Sequence, residues 1–193
     1  MGVEFELKFS ATPAQQAAIA GAYPVAYREF RMETTYYDTA DFALSDRHIT
    51  LRCRMENGQP VCTAKTPTAG IGRGEWECRC DNMTDAIVEI VNQGAPLDLL
   101  LLTAEGVGPV CGARFTRQAG IVEYNGAQLE LALDAGVLTG GGREIGLCEV
   151  EVELKSGDPA DAVAFSKALA ERFGLKAEPR SKFRRALALA RGD

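Results

Sequence analysis

The sequence has very little histidine and none of the cysteine spacings that are typical of metal-binding domains. Its only histidine is His48, which excludes a histidine-rich zinc site and argues against a Ser-His-Asp triad. None of the six cysteines forms a Cys-x-x-Cys pair, so neither a zinc knuckle nor a thioredoxin-like motif is indicated. We therefore expect free thiols that pack as small apolar groups.

Long apolar runs and nucleotide-binding loops are also absent. The strongest apolar stretch, residues 95–104, contains an aspartate and is shorter than the roughly 20 residues that cross a bilayer. No Gly-Lys dipeptide exists to form a phosphate-binding loop, and the glycines of residues 106–112 miss a dinucleotide motif by one position and predict a turn. Charged residues at positions 4, 6 and 8 replace the apolar part of a secretion signal, so a cytoplasmic protein is expected.

Size and charge favour a single domain without nucleic-acid or membrane partners. The chain has 193 residues, and its 21 basic and 27 acidic residues give a net charge of −6. A general nucleic-acid coat would need a basic surplus, although a local basic cluster remains compatible with this total. We predict one domain over residues 1–193.

Alternation of apolar and polar residues predicts strands along much of the chain. The clearest segments are residues 3–9, 48–55, 75–80, 129–133 and 148–154, with less regular strands at 61–65 and 114–124. Asn57-Gly58, Asn125-Gly126 and Gly140-Gly141-Gly142 predict tight turns between neighbouring strands, and residues 70–74 predict a flexible loop. The sheet is therefore expected to be mostly antiparallel.

Helix signals fill the intervals between the strands. Thr12-Pro13 and Asp158-Pro159 are start signals, and Gly174 would end the second of these helices. Thr84 is a candidate cap for a helix after the third strand segment, and Ser181 for a final helix over about residues 181–190.

Charges of one sign recur on single strand faces. Glu149, Glu151 and Glu153 share one face, as do Arg52 and Arg54. Exposure to solvent would explain any one stripe, but like charges so placed repel unless a counter-charge lies between them. A closed barrel with its polar faces inward would use both signs, because carboxylates bind Mg²⁺ and basic side chains bind phosphate oxygens. Helices would then cover the apolar outer faces.

A series of motifs resembles those of the CYTH superfamily, the triphosphate tunnel metalloenzymes. They follow in that family's order over nearly the whole chain, and as a set they are specific. The motifs are Glu4-Phe5-Glu6-Leu7-Lys8, Tyr36-Tyr37-Asp38-Thr39, Leu51-Arg52-Cys53-Arg54, Thr63-Ala64-Lys65, Arg73-Gly74-Glu75-Trp76-Glu77, residues 129–134, residues 148–154 and Ser181-Lys182-Phe183-Arg184-Arg185.

The resemblance implies an α+β fold in which an eight-stranded antiparallel β-barrel, flanked by helices, forms a tunnel with a charged lumen. It implies Mg²⁺ or Mn²⁺ as cofactor and a small-molecule triphosphate as substrate. Catalytic positions carried over from the family are Glu4, Glu6 and Lys8. Metal-facing positions are Glu4, Glu6, Glu130, Glu149, Glu151 and Glu153. Substrate-binding positions are Lys8, Arg52, Arg54, Lys65, Arg114, Lys182 and Arg185, with Arg117 as the alternative to Arg114 because both cannot face inward on a regular strand.

The family contains several activities, and among its members this chain resembles the bacterial inorganic triphosphatases most. The resemblance therefore implies hydrolysis of inorganic tripolyphosphate. A class IV adenylate cyclase would often have a His-Phe pair before the first motif, and this chain has none there. A thiamine triphosphatase could stack a ring on Trp76, but the alternation places that residue outside the tunnel. Nucleoside triphosphate hydrolysis and a binding module without turnover also remain open, as does the choice between monomer and homodimer.

Overall fold

The computed structural model describes residues 5–67 and 73–192. The strands in these ranges are β1 (Glu6–Ser10), β2 (Arg28–Asp38), β3 (Thr50–Glu56), β4 (Gln59–Pro67), β5 (Arg73–Cys78), β6 (Gly108–Tyr124), β7 (Ala127–Gly140), β8 (Arg143–Ser156) and β9 (Lys176–Ala177). The helices are α1 (Pro13–Ala22), α2 (Ala43–Asp46), α3 (Met83–Asn92), α4 (Asp98–Leu102), α5 (Pro159–Phe173) and α6 (Lys182–Arg191). No helix of this part of the chain is long and apolar enough to cross a membrane.

All the strands belong to one antiparallel sheet. Their order is β5-β4-β3-β2-β6-β7-β8-β1-β9. Side chains from each of β1 to β8 line a single cavity of about 950 Å³, so the sheet curls around that cavity. This confirms the predicted tunnel of eight antiparallel strands, to which β9 adds a two-residue edge. Within the described residues no backbone ladder joins β5 to β9, so the two edges do not close the sheet by hydrogen bonds.

Local turn and cap signals are confirmed at most of the predicted positions. Asn57-Gly58 and Asn125-Gly126 have positive φ at both residues, as a two-residue hairpin turn requires, and connect β3 to β4 and β6 to β7. The Thr12 side chain caps α1, and Asp158 caps α5. The cap of α3 is Asn82 rather than Thr84, because the Asn82 side chain accepts hydrogen bonds from two amides of the first turn.

Helices cover the outer faces of the sheet in two groups. Ile19 of α1 and Phe165 of α5 pack on the outer faces of β7 and β8, where Leu131 and Val152 are fully buried. The short helices α2 and α4, which local signals did not predict, pack with α3 over β3, β4 and β5. Beneath these helices, the apolar faces of β3, β4, β5, β7 and β8 are therefore outside the tunnel, as the alternation predicts.

The interior of the tunnel is charged over only part of its length. At one end α6 packs against inward-facing Met32, Tyr36 and Phe115 and forms a third apolar cluster. The approach of α6 to β7 is so close that a Cβ at Gly140 would lie 2.4 Å from the Ala186 carbonyl oxygen. The helix thus fills one end of the barrel, and the charged cavity occupies the remainder.

Three segments differ from the sequence predictions. Strand β2 was not predicted, although Phe30, Met32 and Tyr36 alternate with more polar residues, and it differs from the predicted strands in having its apolar residues toward the cavity. The turn predicted at residues 106–112 is wrong from Gly108 onward, where β6 begins and pairs with the end of β2. Of the loop predicted at residues 70–74, the first three positions lie outside the described residues, whereas Arg73 and Gly74 already belong to β5.

Candidate functional site

A basic wall, consisting of Arg52, Arg54 and Lys65, lines the cavity on β3 and β4. Arg52 lies 3.9 Å from carboxylate oxygens of both Glu75 and Glu77, which is too far for a hydrogen bond. The Nε atoms of Arg52 and Arg54 are buried and have no hydrogen-bond partner among residues 5–67 and 73–192. Burial, together with the neighbouring Arg54 charge, lowers the pKa of Arg52. The wall therefore has donors and positive charge available for an anion with several oxygens.

Carboxylates on β5 keep the basic wall in place. The Lys65 ammonium lies 3.2 Å from Glu75, and the Thr63 hydroxyl donates to Glu77 at 2.9 Å. Arg54 pairs with Glu56 at 3.0 Å on its own strand. These contacts fix the positions of the basic side chains along β3 and β4. Part of each guanidinium still faces the cavity.

An outer acidic row, consisting of Glu6, Glu130 and Glu153, lines the same cavity on β1, β7 and β8. Strand register aligns Glu153 with Glu6 on one side and with Glu130 on the other. Two lysines accompany the row, since Lys8 lies 3.3 Å from Glu6 and Lys155 lies 2.8 Å from Glu153 and 3.5 Å from Glu130. The carboxylate side chains are partly exposed to the cavity.

Lys155 was not among the predicted site residues, although it continues the alternation of Glu149, Glu151 and Glu153 along β8. Burial would lower its pKa, but the hydrogen bond and charge of Glu153 outweigh that effect and raise it. Lys155 is therefore a positive charge placed beside the outer acidic row.

A second group of carboxylates lies deeper, where α6 meets the sheet. We call it the inner ion-pair cluster, and its members are Asp134, Glu149, Glu151, Arg117, Lys182 and Arg185. The Lys182 ammonium lies 2.8 Å from Asp134, 2.6 Å from Glu149 and 2.6 Å from Glu151. Arg117 donates two hydrogen bonds to Asp134, at 2.8 and 2.7 Å, and also contacts Glu151. Arg185 pairs with Glu149.

Burial makes the ion pairs of this cluster strong. Burial alone would raise the pKa of Glu151, but the charges of Lys182 and Arg117 lower it to about 2. Burial would likewise lower the pKa values of Lys182 and Arg117, and the surrounding carboxylates raise both instead. Glu151, Lys182 and Arg117 therefore remain ionised together at neutral pH.

The inner cluster has the donor atoms for a divalent cation but already contains a cation. Asp134, Glu149 and Glu151 place carboxylate oxygens within 4.8 Å of one another, and theirs is the one such triplet within the described ranges. Oxygen donors of this kind suit Mg²⁺ or Mn²⁺. However, the Lys182 ammonium lies among these three carboxylates, and their charge is balanced by three bases. A metal ion would have to displace Lys182.

Contacts from Ser181 and from Gln16 position the inner cluster. The Ser181 side chain caps α6, which places Lys182 and Arg185 one turn apart on the same helix face. From α1, the Gln16 amide donates to the backbone carbonyls of Asp134 and Glu149 at 2.9 and 2.8 Å. Gln16 was missed by the sequence analysis, because an uncharged residue on an outer helix has no sequence signal for this role.

The structure brings most of the predicted site residues to the cavity, and one of the others, Arg114, lies on the opposite face of the sheet. Arg114 faces outward, is 58% exposed and pairs with Glu144 at 2.5 Å, so its predicted place on the phosphate path is wrong. Arg117, the alternative, faces inward because it lies an odd number of positions away on the same strand. Glu4 lies outside the described residues. Trp76 packs on the outer face with α3, as predicted.

The remaining predicted residues divide between the three groups. The predicted residues that line the cavity are Glu6, Lys8, Arg52, Arg54, Lys65, Arg117, Glu130, Glu151, Glu153 and Lys182. Within the described part of the chain, the lining does not include Glu149 or Arg185, which pair with each other and with Lys182 or Glu178. Acidic and basic side chains thus converge on one cavity, with the sealed ion pairs at its inner end.

Two curated proteins of known sequence are similar to parts of this chain. Inorganic triphosphatase of Haemophilus influenzae is 27% identical over 143 residues, which cover 70% of this chain and 39% of that protein. The candidate triphosphatase YjbK of Bacillus subtilis is 32% identical over 99 residues, which cover 51% of this chain and 52% of that protein. The matched region thus spans about half or less of the length of these relatives.

Solved structures show the same fold at low sequence identity. A Hippeastrum protein, named as a candidate adenylyl cyclase and described as having a dominant triphosphatase activity, has a TM-score of 0.63 at 19% identity, covering 98% of this chain and 95% of that one. PH1819 of Pyrococcus horikoshii has a TM-score of 0.60 at 21% identity, covering 95% and 98% respectively. The sequence profile of the CYTH domain matches residues 2–187. With nearly its whole length matched by that profile, the chain belongs to the CYTH domain family.

Proposed function

We propose that this chain hydrolyses the terminal phosphate of a triphosphate, with inorganic tripolyphosphate as the preferred substrate and Mg²⁺ or Mn²⁺ as cofactor. The observation that supports this most is the pair of buried, incompletely hydrogen-bonded arginines, Arg52 and Arg54, in the same cavity as an acidic row. The triphosphatase names of the two curated relatives agree with it.

The outer acidic row is the better place for the cofactor. Glu6, Glu130 and Glu153 offer hard oxygen donors in contact with the cavity. Lys155 contacts two of these carboxylates, whereas Lys182 contacts all three of the inner cluster. The alternation of the sequence predicts that Glu4, which lies outside the described residues, would share the face of Glu6. A divalent cation there would neutralise phosphate charge and make the attacking water more acidic.

The chain's own residues would bind and orient the triphosphate. Arg52, Arg54 and Lys65 would hold phosphate oxygens and offset the charge that moves onto the leaving diphosphate. Lys8 lines the cavity next to the acidic row and would contact the terminal phosphate. Arg117 and Lys182 also face the cavity, but their carboxylate partners already neutralise them, so we assign them to positioning.

The test is a parallel assay of tripolyphosphate, ATP and thiamine triphosphate with Mg²⁺, with Mn²⁺ and with a chelator, scoring both orthophosphate and cyclic AMP. We expect orthophosphate from tripolyphosphate, which disappears with the chelator. Exclusive formation of cyclic AMP would show a cyclase instead. Tight binding of tripolyphosphate without any product would show a binding module.

A further inference from the structure

Four free cysteines lie close together on the outer face of the sheet, away from the cavity. Cys53 is on β3, Cys62 on β4 and Cys78 at the end of β5, and Cys80 follows two residues later. Strand register places Cys62 directly between Cys53 and Cys78. Cys62 and Cys78 are buried, whereas Cys53 and Cys80 are half-buried.

The geometry of the β3–β4 hairpin selects one pair from these four. A two-residue turn is flanked by a hydrogen-bonded pair, here Glu56 and Gln59, and hydrogen-bonded and non-hydrogen-bonded pairs then alternate along the ladder. Pro60, which has no N–H, accordingly falls in a non-hydrogen-bonded pair. By the same count Cys53 and Cys62 form a non-hydrogen-bonded pair, the type in which opposing side chains are closest. Their expected Cα separation of about 4.5 Å lies within the range of disulfides.

The thiol directions agree with this choice. The Cys53 and Cys62 thiols both donate to the same acceptor, the Cys80 carbonyl oxygen, at 3.9 and 3.0 Å. The Cys78 thiol instead donates to the Ala86 carbonyl oxygen of α3 at 3.8 Å. Two sulfurs on facing strands thus converge on one point, and the third sulfur is directed toward a helix.

We propose that Cys53 and Cys62 are a reversible oxidation site, in which a hydroperoxide converts the two thiols into a cross-strand disulfide. The Cys53 thiolate attacks the O–O bond of the peroxide and releases an alcohol or water, which leaves a sulfenic acid on Cys53. The Cys62 sulfur then attacks the Cys53 sulfur, the S–S bond forms, and the sulfenic oxygen leaves as water with the Cys62 proton. Two thiols and one hydroperoxide therefore give one disulfide, one alcohol and one water.

The roles of the two cysteines follow from their burial. Cys53 is the more accessible to a peroxide, so it reacts first. Burial raises the pKa of the Cys62 thiol, which keeps it protonated and unreactive toward the oxidant until the sulfenic acid is beside it. On the opposite face of the sheet, Arg52 and Arg54 flank Cys53, so the disulfide would tie β3 to β4 directly behind the basic wall.

The test is a thiol count on the intact protein after oxidation with a small excess of hydrogen peroxide. The protein is then denatured and labelled with a maleimide, and its mass is measured by mass spectrometry before and after labelling. We expect a mass loss of about 2 Da before labelling and the loss of two labels from the six cysteines, both reversed by dithiothreitol. Cys53→Ser and Cys62→Ser should each abolish the disulfide. Cys148→Ser, a half-buried cysteine on β8, is the matched control and should retain it.

The Cys62→Ser variant also provides a positive signal. Without its partner, Cys53 should accumulate as a sulfenic acid, a gain of about 16 Da that dimedone traps. Wild-type protein that keeps all its labels, gains oxygen without forming a disulfide, or links Cys78 to Cys80 would overturn the proposal. A circular dichroism spectrum of each variant establishes that it is folded before oxidation.

Discussion

The two ends of the glutamate stripe on β8 have the same residue type on the same strand face but different surroundings. At the inner end, Glu149 is only 1% exposed and pairs with Lys182 and Arg185 of α6. At the outer end, Glu153 faces the cavity and pairs with Lys155 of its own strand. The difference arises at the inner end, where α6 supplies the two basic partners of Glu149.

This contrast separates stability from chemistry. The inner ion-pair cluster is buried and balanced in charge, so it fixes α6 in the barrel and leaves no position for a further cation. The outer acidic row and the basic wall line the same cavity, where under the proposed function a cation and a phosphate chain would bind.

Removing Lys182 should produce the largest loss of stability. Lys182→Met leaves Asp134, Glu149 and Glu151 buried with fewer counter-charges, which should lower the free energy of unfolding by about 3–5 kcal/mol. Urea denaturation measures this change. The matched control is Lys155→Met in the outer row, where a partly exposed pair is worth less than about 1 kcal/mol. Equal losses in the two variants would remove the distinction between the two ends of β8.

Acid should weaken the inner cluster over a defined pH range. The pKa of Glu151 is about 2 in the folded chain and 4.5 as its ordinary value, so its contribution is complete above pH 4.5 and is lost as the pH falls toward 2. The shift corresponds to roughly 3 kcal/mol at neutral pH. Urea denaturation between pH 7 and pH 3 should therefore show a decline that is smaller in Glu151→Gln. A decline of the same size in that variant would assign the pH dependence to other groups.

Removing an arginine from the basic wall should weaken substrate binding without unfolding the chain. Arg52→Ala loses charge-assisted hydrogen bonds to phosphate, each worth about 1.5–3 kcal/mol, which predicts a KM for tripolyphosphate about 10- to 100-fold higher. Arg114→Ala is the matched control, because that arginine faces outward on the same sheet. Steady-state kinetics measure both variants. Similar KM values for Arg52→Ala and wild type would count against a phosphate role for the wall.

Neutralising one carboxylate of the outer acidic row should weaken the binding of the metal cofactor. Glu153→Gln keeps the size of the side chain but removes a negative charge from the cavity, and we expect at least about tenfold weaker Mn²⁺ binding. Paramagnetic relaxation of water by bound Mn²⁺ measures the affinity without any turnover. Glu144→Gln, outside the cavity beside Arg114, is the control. Unchanged Mn²⁺ affinity in Glu153→Gln would contradict a metal site at the outer acidic row and favour one at the inner ion-pair cluster.

Local features of the fold could be predicted from the sequence because they depend on neighbouring residues alone. The Asn57-Gly58 turn needs positive φ, and the caps at Thr12 and Asp158 need only the next turn of helix. Strand alternation predicts that Arg114 and Arg117 lie on opposite faces of β6, so only one of them can face the cavity. It does not determine which one, because alternation alone does not identify the inner face. Like-charged strand faces favoured a closed barrel, and a resemblance of motifs over nearly the whole chain predicted the eight-stranded tunnel.

Contacts between distant elements could not be predicted in this way. Glu149 and Glu153 belong to one alternating stripe, and only the position of α6 makes the first a buried partner of Arg185. Strand β2 has its apolar residues inside because the same helix fills that end of the barrel. Gln16 acts from an outer helix through backbone carbonyls, a contact that no strand pattern indicates.

The most direct test is the anomalous scattering of Mn²⁺ in crystals grown with a non-hydrolysable triphosphate analogue. We expect a manganese peak about 2.0–2.2 Å from carboxylate oxygens of the outer acidic row. Phosphate oxygens of the analogue should accept hydrogen bonds from Arg52 and Arg54. Lys182 should still contact Asp134, Glu149 and Glu151. A manganese peak among those three carboxylates, with the Lys182 ammonium displaced, would contradict the account.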